Sequence, residues 1–132
     1  MLNLNSALFN LQDPMNLLRM LTALYFIPHL VGKFTAKQAV NGFFVAAGMN
    51  PPDRFRWFSF VVEIIVLFML FFGFHPGLAA LVGGIHLLVA GWASYRVSKG
   101  NWIWLGGGAE YPIYWALILL ILAYHYWTKG MF

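Results

Sequence analysis

The side chains of this sequence that could do chemistry are Arg19, His29, Lys33, Glu63, His86, Glu110 and Tyr114, all set in or beside apolar stretches. Arg19, Thr22, Phe26, His29 and Lys33 follow a 3-4-3-4 spacing, which puts them on one face of a helix. Arg56, Ser59 and Glu63 form a second such stripe. His86 stands among Ala79, Gly83, Ala90 and Ala93, small residues that let a neighbouring helix approach closely. Tyr114 follows Glu110 by one turn on the same face. Glu63 and His86 are the candidates for handling protons. Arg19, His29, Lys33, Glu110 and Tyr114 are the candidates for binding a ligand.

Three chemistries suit such a set. A quinone head group needs donors to its carbonyl oxygens and a group that exchanges protons, which His29, His86 and Glu63 with aromatic walls could supply. A metal would take His29, His86 and Glu63 as two imidazoles and a carboxylate, but no helical His-x-x-x-His or Glu-x-x-His pair supports it, and no metal is assigned. Acid catalysis on an isoprenoid or another lipid-soluble substrate would need Glu63 to keep its proton through burial. Each residue also has a purely structural explanation. Glu110 complements the positive end of a following helix, Lys33 snorkels to the interface, Arg19 reaches Asp13 or lipid head groups, and His86 bonds a neighbouring helix. Glu63 is hardest to explain that way, because a lone carboxylate in hydrocarbon costs several kcal/mol and needs Lys33, His29 or a proton.

The elements that must hold these groups are four apolar stretches at 15–34, 57–74, 77–95 and 111–127. Each approaches the ~20 residues a helix needs to cross the ~30 Å hydrocarbon core. Only 9% of the 132 residues are charged, too few to cover a water-soluble bundle of this size. The expected fold is therefore all-α, a single-domain bundle of four transmembrane helices. Thr35 to Gly48 adds a short amphipathic interfacial helix, with Ala36, Ala39, Val40, Phe43, Phe44 and Ala47 opposite Lys37, Gln38 and Asn41. Asn50-Pro51-Pro52-Asp53 forces an extended turn before the second span, and Trp102 to Leu105 dips into the interface before Gly106-Gly107-Gly108 turns the chain. Counting ~1.5 Å per residue from the basic end places His29, Lys33, Glu63 and Glu110 in one half of the membrane, with His86 at its upper limit.

Composition sets other bounds. The net charge of +4 is no nucleic-acid signal, because the basic residues sit at helix ends and form no patch. With no cysteine, thiolate chemistry, disulfides and cysteine-held clusters are excluded. Lys33, Lys37, Arg54, Arg56, Arg96 and Lys99 flank the first and third connections, so those face the cytoplasm and both termini the periplasm of a bacterial inner membrane. Residues 1–13 carry no basic n-region, so the first stretch is expected to be retained.

The chain resembles the DoxX family of small four-helix membrane proteins. The features that carry the resemblance are Leu17-Leu18-Arg19, Gly32-Lys33-Phe34, Glu63 and Gly107-Gly108-Ala109-Glu110-Tyr111, in order and spacing over almost the whole chain. It departs at Val66-Leu67-Phe68-Met69, where relatives often carry glycines, and at His29, where a small residue is common. The resemblance implies a quinone-linked redox setting such as the membrane subunit of a thiosulfate:quinone oxidoreductase, or a place in an oxidative-stress complex. The wider superfamily is similar to integral membrane terpene cyclases. The resemblance points to Arg19, Lys33, Glu63 and Glu110. The competing reading, from the residues themselves, is a non-catalytic accessory subunit in the lipid bilayer, packed through its lipid-facing aromatics against other membrane subunits, or a homo-oligomer, with the polar cluster serving only to fix the fold.

Overall fold

Asp13 ends the N-terminal segment by accepting the Met15 N–H at 2.9 Å, and Pro14 occupies the first helical position, where its missing N–H costs nothing. In the computed structural model, which describes residues 6–132, this cap starts the main body of the molecule. All regular structure in those residues is helical. A 3-10 turn at Ser6–Phe9 leads to α1 (Pro14–Leu24), α2 (Phe26–Thr35), α3 (Lys37–Ala46), α4 (Pro52–Phe72) and α5 (Pro76–Val97). A 3-10 turn at Trp104–Gly106 then precedes α6 (Glu110–Thr128). Residues 1–5 of the N-terminal segment lie outside the described residues.

The stretch expected as one helix over 15–34 is two. Pro28 has no N–H for the Leu24 carbonyl and its ring crowds that position, so the helix breaks at Tyr25. α4 begins at Pro52, earlier than the expected 57, because a proline at the first position and Asp53 in the first turn both favour a helix start. It ends where Gly73 takes φ 74°, letting Phe74 N–H reach the Met69 carbonyl at 2.9 Å and Gly73 N–H the Leu70 carbonyl at 3.3 Å.

α5 and α6 pack most closely, through glycines. A Cβ on Gly84 would stand 2.9 Å from Leu120 Cδ2, and one on Gly83 would stand 3.0 Å from Leu119 Cδ1 of α6 and 2.9 Å from Val66 Cγ1 of α4. Phe26, Val66, Leu70, Leu87, Leu119 and Leu122 fill the centre. Among the described residues, α4 and α5 are long and apolar enough to cross a membrane, with mean hydropathy 2.1 and 1.6. Only 28% and 44% of their most apolar windows are buried inside the protein, whereas the core helix of a soluble protein would be mostly buried. Phe58, Ile65, Phe68, Ile85 and Trp92 accordingly stand on the outer surface.

α3 has no buried residue of its own. Arg56 ties it down: Nε donates to Asn41 Oδ1 at 3.1 Å, one terminal nitrogen to Asp53 Oδ1 at 2.9 Å, and the other to the Lys33 carbonyl at 3.3 Å. Asn41 completes the loop by donating to Asp53 Oδ1 at 3.0 Å. One guanidinium thus joins the end of α2, the middle of α3 and the start of α4.

Candidate functional site

α2 and α4 each present two polar groups one turn apart on the same face: His29 with Lys33, and Ser59 with Glu63. Because these helices run beside each other, Lys33 Nζ reaches Glu63 Oε2 at 2.6 Å. The other carboxylate oxygen accepts from Ser59 Oγ at 3.2 Å and lies 3.0 Å from His86 Nε2, supplied by α5. His86 Nε2 is also 3.3 Å from Ser59 Oγ. Lys33, Ser59 and Glu63 are all buried, and His86 keeps 14% of its side chain exposed.

The donors and acceptors fix a protonation pattern. An ionised carboxylate only accepts, so His86 Nε2 must carry the hydrogen directed at Glu63, which leaves Nδ1 as the basic nitrogen. Glu63 thereby orients the imidazole. Lys33 donates one of its three hydrogens to Glu63.

These groups line a cavity of about 520 Å³, with Lys33, Ser59, Glu63 and His86 on its polar side. The apolar side comes from Phe43 and Phe44 of α3, Phe55 and Phe58 of α4, and Trp115 of α6. His29 lines the same cavity, its ring 5.4 Å from that of Trp115 and stacked on Tyr111 at 6.2 Å. Trp115 is 8% exposed, and its Nε1 is buried with no hydrogen-bond partner among the described residues. A few convergent polar groups in a mostly apolar chamber of this size are the usual make-up of a small-molecule site.

The other sequence candidates lie elsewhere. Arg19 is fully buried, and its guanidinium donates to the carbonyls of Leu8, Leu70 and Phe71, the last at 2.9 Å. Two of these are carbonyls in the last turn of α4, at the negative end of its dipole; Leu70 O also takes the Gly73 N–H. Glu110 Oε2 accepts the Trp104 N–H at 3.2 Å and so fastens the preceding loop to the start of α6. Tyr114 is 67% exposed beside a second cavity. Among the described residues no cluster of metal-ligating side chains is found.

Residues 15–96 match the family model for DoxX. The chain belongs to the DoxX family. That family is membrane-associated, which agrees with the two apolar helices. The DoxX match takes in Lys33, Ser59, Glu63 and His86, while Tyr111 and Trp115 lie beyond it. No curated protein and no solved structure matches this DoxX chain.

Ser59, Tyr111 and Trp115 are site residues that sequence reasoning left out of the candidate set. Ser59 carried a signal, one turn before Glu63 on the same stripe. Trp115 had none, since a tryptophan near the basic end of a span reads equally well as an interfacial anchor.

Proposed function

We propose that this DoxX protein is a four-span inner-membrane protein of a quinone-linked redox system, binding the head group of a quinone in the chamber beside Lys33, Glu63 and His86. The observation that carries this is that the ion-paired network borders a chamber of about 520 Å³ and is not sealed by packing. An ion pair that only holds helices together needs no chamber beside it, so the space next to these polar groups supports a ligand-binding reading.

The residues fit such a ligand on their own chemistry. Lys33 keeps hydrogens beyond the one given to Glu63, and the Trp115 Nε1 hydrogen has no acceptor among the described residues, so both can donate to a carbonyl oxygen. His86 Nδ1 is the position that would hold and release a proton, steadied by Glu63 on the opposite nitrogen. Phe43, Phe44 and Phe58 give flat apolar surfaces for a ring to pack against. When bound, a quinone would supply the two-electron redox chemistry that this cysteine-free chain lacks.

Acid catalysis on an isoprenoid fits less well, because a carboxylate 2.6 Å from an ammonium and also accepting from Ser59 is the conjugate base of the acid required. The accessory-subunit reading is favoured by one observation, that both oxygens of Glu63 are already satisfied within the protein.

The positive-inside pattern supports an orientation with α3 and the 98–109 connection at the cytoplasmic face, in which the chamber would lie in that half of the membrane. The test is equilibrium binding of a short-chain benzoquinone to the protein in nanodiscs. Saturable binding that falls at least about tenfold in both His86→Asn and Lys33→Met is expected. No saturable binding, or binding untouched by both substitutions, leaves the accessory role.

A further inference from the structure

The chamber does not end at Trp115. A second cavity of about 350 Å³ adjoins it, bounded by Leu18, Leu21, Tyr25, Tyr114 and Ile118. The two share His29, Tyr111 and Trp115 as lining residues. This second space lies between α1–α2 and α6, beside the break that Pro28 imposes. Leu21, Tyr25 and Tyr114 on its rim are 48%, 61% and 67% exposed, so it opens on the outer, apolar surface of the bundle.

We propose that this groove receives the hydrocarbon chain of the molecule whose head group occupies the chamber, with His29, Tyr111 and Trp115 as the threshold between the two. The inference rests on the quinone reading above and adds the ligand's class: an amphiphile with a linear apolar tail, taken laterally from the bilayer.

Polarity divides across the threshold as such a molecule requires. Lys33, Ser59, Glu63 and His86 line only the chamber. The groove is lined mainly by apolar and aromatic surface and holds no charged side chain; the Thr22 hydroxyl is directed to the carbonyls of Leu18 and Arg19 at 2.9 and 3.0 Å, and its other hydroxyls are the phenols of Tyr25, Tyr111 and Tyr114. Trp115 adds a buried donor without a partner among the described residues at the boundary, where the polar head of an amphiphile would meet its tail. A ligand confined to the chamber would leave the groove unfilled, whereas a tailed ligand covers both spaces with matching surface. Because the groove faces lipid, a water-insoluble molecule need never cross an aqueous passage to arrive.

Two photoreactive benzoquinones test this, one with a diazirine on the ring and one with it at the end of a decyl chain, each crosslinked to the protein in nanodiscs and mapped by mass spectrometry. The ring probe is expected on chamber residues such as Ser59 or His86, and the chain probe on Leu21, Thr22, Tyr114 or Ile118. With the ring probe in the chamber, chain-end labelling on α3 or nowhere on α1 and α6 would overturn the inference and leave the quinone reading intact. A ring probe that labels no chamber residue would overturn that reading itself.

The variant Leu21→Trp fills the groove at a half-exposed position, where folding tolerates bulk. It should weaken the decyl quinone about tenfold, the equivalent of two buried methylenes lost, and leave the tailless quinone within about twofold. Equal binding of the decyl quinone by Leu21→Trp and the native protein would mean that ordinary lipid occupies the groove, and would overturn the inference.

Discussion

Replacing Lys33 by methionine keeps the length and apolar stem of the side chain and removes only its charge. Glu63 then remains buried beside the chamber, with Ser59 and His86 as its donors. Breaking one side of a buried pair costs roughly 3–5 kcal/mol, and because two donors remain the lower end, about 3 kcal/mol, is expected. For a chain of this size about 3 kcal/mol corresponds to a fall in Tm of roughly 10–15 °C. Adding Glu63→Gln removes the stranded charge and keeps the acceptor for Ser59, so the double variant should recover to within about 1 kcal/mol of the native protein. Fluorescence-detected size exclusion after heating in a mild detergent measures all four proteins side by side. A Lys33→Met protein that melts with the native one, or a double variant that loses the sum of the two single losses, would refute the pairing argument.

Arg19→Gln should cost at least about 3 kcal/mol, since a charged donor to three buried carbonyls is lost; reduced yield and Tm would register this, whereas quinone affinity of the folded fraction should be unchanged. Gly84→Leu would drive a side chain into Leu120 across the α5–α6 contact and should cost roughly 1–3 kcal/mol, read as lowered Tm; a native Tm would mean the helices are not in close contact there. An impermeant thiol reagent applied to intact cells should modify a cysteine placed at Lys129 and spare cysteines at Lys37 and Lys99; the opposite pattern inverts the orientation.

Helical periodicity made Lys33 and Glu63 legible before any coordinates, because each sits on a polar stripe that only an interior can accommodate. Rise per residue brought them to a similar depth. Arg19 lies on the same stripe as Lys33, yet its guanidinium turns to the carbonyls of Leu70 and Phe71 at the end of α4, about two turns past Glu63, and stripe analysis does not reveal which backbone groups a neighbouring helix presents. The helix break at Tyr25 was written in the sequence as Pro28, but the apolar run around it looked continuous by composition. Ser59 was visible as a stripe member. Tyr111 and Trp115 were not, because an aromatic facing a cavity and an aromatic facing lipid have the same sequence pattern, and only packing separates them.

Native mass spectrometry of the gently extracted protein bears most directly on the claim that the Lys33–Glu63–His86 chamber holds a quinone. The native protein should carry a quinone mass that the well-folded Lys33→Met, Glu63→Gln double variant lacks. A native protein free of quinone, or a double variant that retains it equally, would contradict the assignment.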